Sequence, residues 1–367
     1  MADPSLDRYR GSLLGLALGD ALGTTVEFCK PGSFEPLTDL VGGGPFKLLP
    51  GQWTDDTAMA LCLAESLIRC GGRSDPDDQL TTFVHWMDGG HNASNTRCFD
   101  IGTTTRAALM RHKGTPHAPG EGGGRNAGNG SLMRLAPVPL LHAADADPGA
   151  ALAACAASSR TTHDDVRAVD ACRYLGALIV GALRGEPKEA LLRPLYAPPG
   201  APADMWSGDA ALCAEVDEVA RGSFLRKAPP DVRGGAFAPT SLEAALWAFG
   251  ASSTFAEGAL LVANLGDDAD TTAAIYGQLA GACRRASIPF RPRPIPQPQA
   301  ETACTPTRCL HQVPTTAPKP SRRPGCSCSS SSRSSSAPRT RCTSLPPRVQ
   351  PTAAVGPLPP RPLAAGP

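Results

Sequence analysis

The stretch Gly51-Gln52-Trp53-Thr54-Asp55-Asp56-Thr57 opens a helical pattern that continues through Met59, Cys62, Leu63, Ser66 and Leu67. Far downstream, Asn264-Leu265-Gly266-Asp267-Asp268-Ala269-Asp270-Thr271-Thr272 opens another, over 273–282. Thr and Asp are favoured at helix starts because their oxygens accept the orphan amide hydrogens of the first turn and oppose the positive end of the helix dipole. One such side chain is enough to cap. Asp55 and Asp56 are adjacent, so on a helix they project about 100° apart and cannot both cap. The same surplus of acid recurs at Asp268 and Asp270. Four carboxylates brought together without cations would force some to protonate, and a hard divalent cation removes that conflict. Ligands that are all oxygen suit magnesium, manganese or calcium and disfavour zinc. The two helix starts are therefore expected to face each other, with Thr54, Asp55 and Asp56 opposite Asp268, Asp270 and Thr271 around one or two ions.

Composition supports a helical, neutral chain. With 367 residues there is length for one large or two ordinary domains. A formal net charge of +1 gives no reason to expect nucleic acid or an acidic membrane surface as a partner. Aromatics make up only 5%, and no stretch alternates in the manner of a strand, so the fold class expected is all-α. Cys62, Cys155 and Cys172 sit singly inside apolar helical patterns, where cysteine behaves as a small hydrophobe; the thiols are read as reduced and the protein as a cytoplasmic monomer. Arg8 and Arg10 precede an apolar run that Asp20 ends, which argues against a signal peptide, and no later run is long enough to span a bilayer.

Helices are expected over 6–22, 77–86, 147–159, 166–183, 210–220, 241–249 and 254–264, besides the two acidic ones. The first carries Gly11, Gly15, Gly19 and Gly23 at intervals of four, a stripe that costs helix propensity but lets another backbone approach closely. Asp20 and Glu27 lie where that helix gives way to a Pro- and Gly-rich loop. Residues 120–130 are dense in glycine and end in Gly128-Asn129-Gly130-Ser131-Leu132-Met133-Arg134, matching neither the P-loop nor the dinucleotide fingerprint. His163, beside acids, reads by itself as a capping or solvated imidazole. Residues 1–286 form the expected helical domain. Residues 287–367, dominated by Pro, Ser, Arg and Thr, cannot bury enough apolar surface to fold and are expected to be disordered.

Taken in order, several motifs resemble the ADP-ribosylglycohydrolase family, which includes the dinitrogenase reductase-activating glycohydrolases. They are Gly19-Asp20-Ala21-Leu22-Gly23 with Glu27, Gly51 to Thr57, Asp100-Ile101-Gly102 with the threonines after it, Gly128 to Arg134, Thr162-His163, Leu246 to Phe249, and Asn264 to Ala282. The resemblance implies a compact, roughly orthogonal multi-helix domain. It implies two magnesium ions, with manganese as the substitute, held by Thr54, Asp55, Asp56, Asp268, Asp270 and Thr271. The family's acid after the first helix maps onto Glu27. Gly102, Thr103, Asn129, Gly130, Ser131, Met133 and His163 would line the ADP-ribose site, and the partner would be an ADP-ribosylated protein or an ADP-ribose-containing small molecule.

Hydrolysis of an ADP-ribosyl bond needs charge stabilised at the anomeric carbon, a positioned water and a grip on the ribose hydroxyls. Two hard cations supply the grip and polarise water, while Glu27, Asp55 or Asp56 serves as base. Ordinary glycosidases place two carboxylates across the sugar bond, whereas these acids are clustered as if for metal. The rival reading is a non-catalytic relative that binds ADP-ribose or serves structurally, as crystallin-like members do. Two departures stand out. Asp267 occupies a turn position where the family often has glycine, and Thr103 stands where some arginine-directed members carry an acid, which leaves arginine and serine linkage both open. After Cys283 the Pro/Ser/Arg tail replaces the family's closing segment, a switch of the kind a frameshift or aberrant gene-model end produces.

Overall fold

The computed structural model describes residues 4–114 and 127–283, which fall within one compact unit. Those residues are helical as expected, with no strand among them beyond two isolated bridges. The tail over 287–367 and part of the glycine-dense loop lie outside the described residues.

The long central helix α7 (Val166–Leu183) is buried from Ala168 to Leu183 except at Arg173, and its second half, from Tyr174 on, is apolar apart from the Tyr174 hydroxyl. Many, though not all, of the other helices pack against it. In chain order the others are α1 (Pro4–Gly23), α2 (Asp55–Arg69), α3 (Pro76–Gly89), α4 (Thr103–Gly114), α5 (Pro137–His142) and α6 (Pro148–Arg160). After α7 come α8 (Lys188–Leu191), α9 (Ala214–Ala220), α10 (Ala238–Ala251), α11 (Phe255–Ala263) and α12 (Ala269–Cys283).

The glycine stripe finds its partner in α12. A Cβ at Gly15 would lie 2.2 Å from the Gly277 carbonyl oxygen, at Gly19 2.1 Å from that of Ala273, and at Gly23 2.3 Å from that of Ala269. Contacts that step up α1 while stepping down α12 mean the helices run antiparallel, backbone against backbone. The end of α1, which carries Asp20 and is followed by Glu27, is thereby delivered to the start of α12, where Asp270 stands.

One local expectation is corrected and one helix is added. The helix expected over 210–220 begins only at Ala214, because the Asp170 carboxylate accepts the Cys213 amide at 2.7 Å and holds the chain extended there. Helix α5 is absent from the sequence reading, and it contains prolines 137 and 139. Both stand in the first turn, where no amide hydrogen is required, so the helix tolerates them.

Candidate functional site

The two acidic helix starts meet. Thr54 Oγ1 lies 3.2 Å from Asp56 Oδ2 and 3.2 Å from Asp270 Oδ2, and Thr271 Oγ1 lies 3.5 Å from Asp56 Oδ2. Neither Asp55 nor Asp56 caps α2, and neither does the N-cap residue Thr54. Asp20 does so from the facing helix: its Oδ1 accepts from the amide and hydroxyl of Thr54, each at 2.9 Å, and its Oδ2 from the amide and hydroxyl of Thr57 at 2.9 and 2.6 Å. With two donors on each oxygen, Asp20 is a positioning residue. The acids that follow are left without capping duty.

Seven carboxylates converge here. Asp20, Glu27, Asp55, Asp56 and Asp270 are buried, while Asp100 and Asp268 are half-buried. Asp270 belongs to two tight groups, one with Asp20 and Asp56 and one with Glu27 and Asp268, in which the facing oxygens lie within 4.8 Å of one another. Burial first, then mutual repulsion, raises their proton affinity. Glu27 is pushed up to about 9 by burial and by Asp100 and Asp268, and Asp100 to about 7 by burial and Asp268. Asp55, Asp56 and Asp270 stand well above the ordinary carboxylate range for the same reasons. Asp56 Oδ1 and Glu27 Oε2 are buried without a hydrogen-bond partner. Acceptors therefore outnumber donors in a site that costs several kcal/mol per desolvated charge, and a hard cation with oxygen ligands fits that donor set.

Of these acids, Glu27, Asp55, Asp100 and Asp268 reach the floor of a cavity of about 320 Å³. Its walls include Glu27, Phe28, Asp55, Asp100, Gly102, the threonines 103–105, Gly128, Asn129, Gly130, Met133, His163, Asp268 and Thr271. Asn129 links wall to floor: its amide donates to Asp268 Oδ2 at 2.6 Å, and its backbone amide bonds the Ala236 carbonyl at 3.1 Å. Ser131 is the exception among the expected lining residues, since its hydroxyl meets Ser159 Oγ at 2.8 Å within the core.

His163 is not the solvated imidazole that it resembles in isolation. Burial, reinforced by the Arg134 charge, pushes it down to about 3, so the ring is neutral; its Nδ1 meets Thr162 Oγ1 at 2.8 Å. A Cβ at Gly130 would come within 2.9 Å of the His163 ring, so this glycine makes room for the imidazole. Arg134 is fully buried, bonds Thr162 Oγ1 at 2.7 Å and lies 4.7 Å from the Phe83 ring centroid. One buried guanidinium does not balance seven carboxylates.

The sequence reading quotes Asp20 and Asp100 within its motifs but gives neither a place in the site. A signal existed for Asp100: like Asp268, it is an acid just ahead of a helix start rich in threonine. It takes a left-handed backbone (φ 60°), as does Asp267 (φ 53°), in the turn where a glycine is the ordinary choice. The Asp267 turn is held by two backbone bonds of 2.7 Å, from the Phe28 amide to the Asp267 carbonyl and from the Asp267 amide to the Cys29 carbonyl.

The chain belongs to the ADP-ribosylglycohydrolase family, whose profile matches residues 1–293. It is 40% identical over 284 residues to the ADP-ribosylarginine hydrolase Tri1 of Pseudomonas putida, covering 76% of this chain and 71% of the relative. It is 33% identical over 294 residues to the ADP-ribosyl-[dinitrogen reductase] glycohydrolase of Rhodospirillum rubrum, covering 77% and 87% respectively. A solved ADP-ribosylglycohydrolase-related protein complex matches at a TM-score of 0.65 and 42% identity, over 78% of this chain and 91% of that one. The cysteines among the described residues are free thiols, and no helix among those residues is long and apolar enough to cross a membrane.

Proposed function

We propose that this protein hydrolyses the N-glycosidic bond joining ADP-ribose to an arginine side chain of a modified protein, with two magnesium ions as cofactor. The observation that carries the reading is the convergence of the α2 and α12 helix starts, with Asp270 common to both acidic groups and two carboxylate oxygens left unpartnered. The relatives named for arginine-linked substrates support that linkage over serine.

Thr54, Asp55, Asp56, Asp268, Asp270 and Thr271 would hold the ions, with Asp20 fixing Thr54 from behind. When bound, the cations neutralise the floor, grip the ribose diol and act as Lewis acids on water. The rest falls to the chain. Asn129 orients Asp268 through its amide, and the Gly128–Gly130 segment lies against the neutral imidazole of His163 as a wall for ADP-ribose. Glu27 and Asp55, two of the carboxylates that face the cavity, can take the water's proton as its oxygen bonds to the anomeric carbon. The carbon–nitrogen bond breaks, and the guanidine leaves with a proton; the products are ADP-ribose and unmodified arginine.

The test incubates the protein with ADP-ribosyl-arginine and ADP-ribosyl-serine peptides, with and without magnesium, beside an Asp55→Ala/Asp270→Ala double variant. Magnesium-dependent release from the arginine peptide, lost in the variant, is the expected outcome. No release from either peptide would leave the binding role alone.

A further inference from the structure

One residue at the cavity mouth has no explanation in folding. Phe28 is 66% exposed, belongs to no core cluster, and still holds a left-handed backbone (φ 61°), a costly conformation for a bulky residue. Its amide bond to Asp267 pins it beside the acidic turn, so the ring is held outward by the same structure that builds the floor. Phe46 meets it edge-on at a centroid distance of 6.3 Å, and Phe99 meets Phe46 at 5.0 Å. Phe28, the one of the three that lines the cavity, is thus backed by Phe46 and, through it, by Phe99. The residues next to Phe28 and Phe99 in the chain are Glu27 and Asp100, the carboxylates that repel each other at the cavity wall. Among the described residues, no lysine or arginine of the chain itself stacks on these rings.

We propose that the Phe28–Phe46–Phe99 cluster is the leaving-group subsite, in which the guanidinium of the modified arginine lies against the Phe28 ring with Glu27 and Asp100 at its edge. A ring face attracts a cation through its quadrupole, and a planar guanidinium presents its remaining N–H groups to carboxylates at the same time. A neutral purine would gain from the rings but not from the acids beside them, so charge complementarity selects the cation. The inference rests on the arginine-linked reading above and adds the element that recognises the arginine.

The test compares wild type, Phe28→Ala and Phe28→Tyr full-length proteins with magnesium supplied. It reads KM and kcat on ADP-ribosyl-arginine, and the inhibition constant and calorimetric affinity of free ADP-ribose. Phe28→Ala is expected to raise KM about fivefold, in line with a partly desolvated cation–π contact, with less effect on kcat. ADP-ribose affinity should stay within about twofold, and Phe28→Tyr should restore KM. Equal weakening of both ligands would overturn the proposal by assigning the ring to adenine, and so would an unchanged KM. Should wild type turn over no substrate, the proposed function fails. Calorimetry with ADP-ribosyl-arginine then decides separately: an affinity advantage over ADP-ribose that depends on Phe28 upholds the subsite, and its absence overturns it.

Discussion

Helices α2 and α11 begin with the same kinds of residue and use them in opposite ways. At α11, Thr254 Oγ1 accepts the Glu257 amide at 3.1 Å while the Glu257 carboxylate accepts back from the Thr254 amide at 3.3 Å and the Ser253 amide at 2.6 Å, all in contact with solvent. Donors and acceptors balance, and the arrangement is a capping box. At α2, capping is taken over by Asp20, so Thr54, Asp55 and Asp56 are buried with more acceptors than donors. Thr-and-acid chemistry at a helix start is therefore structural when its acceptors are matched, and becomes a site when a third residue frees them and burial makes the excess costly.

Substitutions can break that contrast, and the largest effect should come from Asp55→Asn. Activity on ADP-ribosyl-arginine should fall by about 10³-fold, while the chelator-treated variant should melt a few degrees higher than wild type, because a repelling buried charge is gone. A lower melting temperature would show that the acids are matched after all. The same excess predicts a pH dependence. Glu27 and Asp100 keep their protons to about 9 and about 7 in the fold, against ordinary values of 4.5 and 3.8. The metal-free folded state then binds more protons than the unfolded state across that window, and stability must fall as pH rises through it. Thermal melts of chelated protein between about pH 5 and about 9 check the sign, and added magnesium should flatten the slope.

Next in size is Asp20→Ala, which takes an acceptor from four buried donors and leaves the Thr54 amide, the Thr57 amide and the Thr57 hydroxyl without their side-chain partner; it should cost about 2–4 kcal/mol in urea unfolding, with activity lost through a displaced Thr54. At α11, Thr254→Ala should cost only about 1 kcal/mol and leave turnover unchanged; a loss of activity there would erase the distinction between the two helix starts. Smallest is Asp267→Gly, which relieves a left-handed aspartate and should stabilise the fold by up to about 1 kcal/mol.

Much of the fold was legible because helical periodicity is local. The α7 boundaries follow from its apolar run, and the glycine stripe on α1 announced a backbone contact before its partner was known. The α5 prolines and the Asp170-held chain ahead of α9 were not legible, since one depends on position within a turn and the other on a side chain far away in sequence. In the site, the surplus of Asp55, Asp56, Asp268 and Asp270 could be counted from the chain. That Asp20 is the residue that frees them could not.

By itself, then, the sequence determined which residues are chemically in excess: carboxylates where one cap suffices and glycines where none is needed. Only the tertiary structure decided what the excess is for. It did so by laying α1 against α12 closely enough to exclude any side chain from the glycine stripe, a contact that sets Asp20, Asp56 and Asp270 within a few ångströms of one another although more than two hundred residues separate the first from the last. Charge surplus is a property of composition and can be read along the chain, whereas its cost and its use depend on burial and distance, which no local pattern fixes.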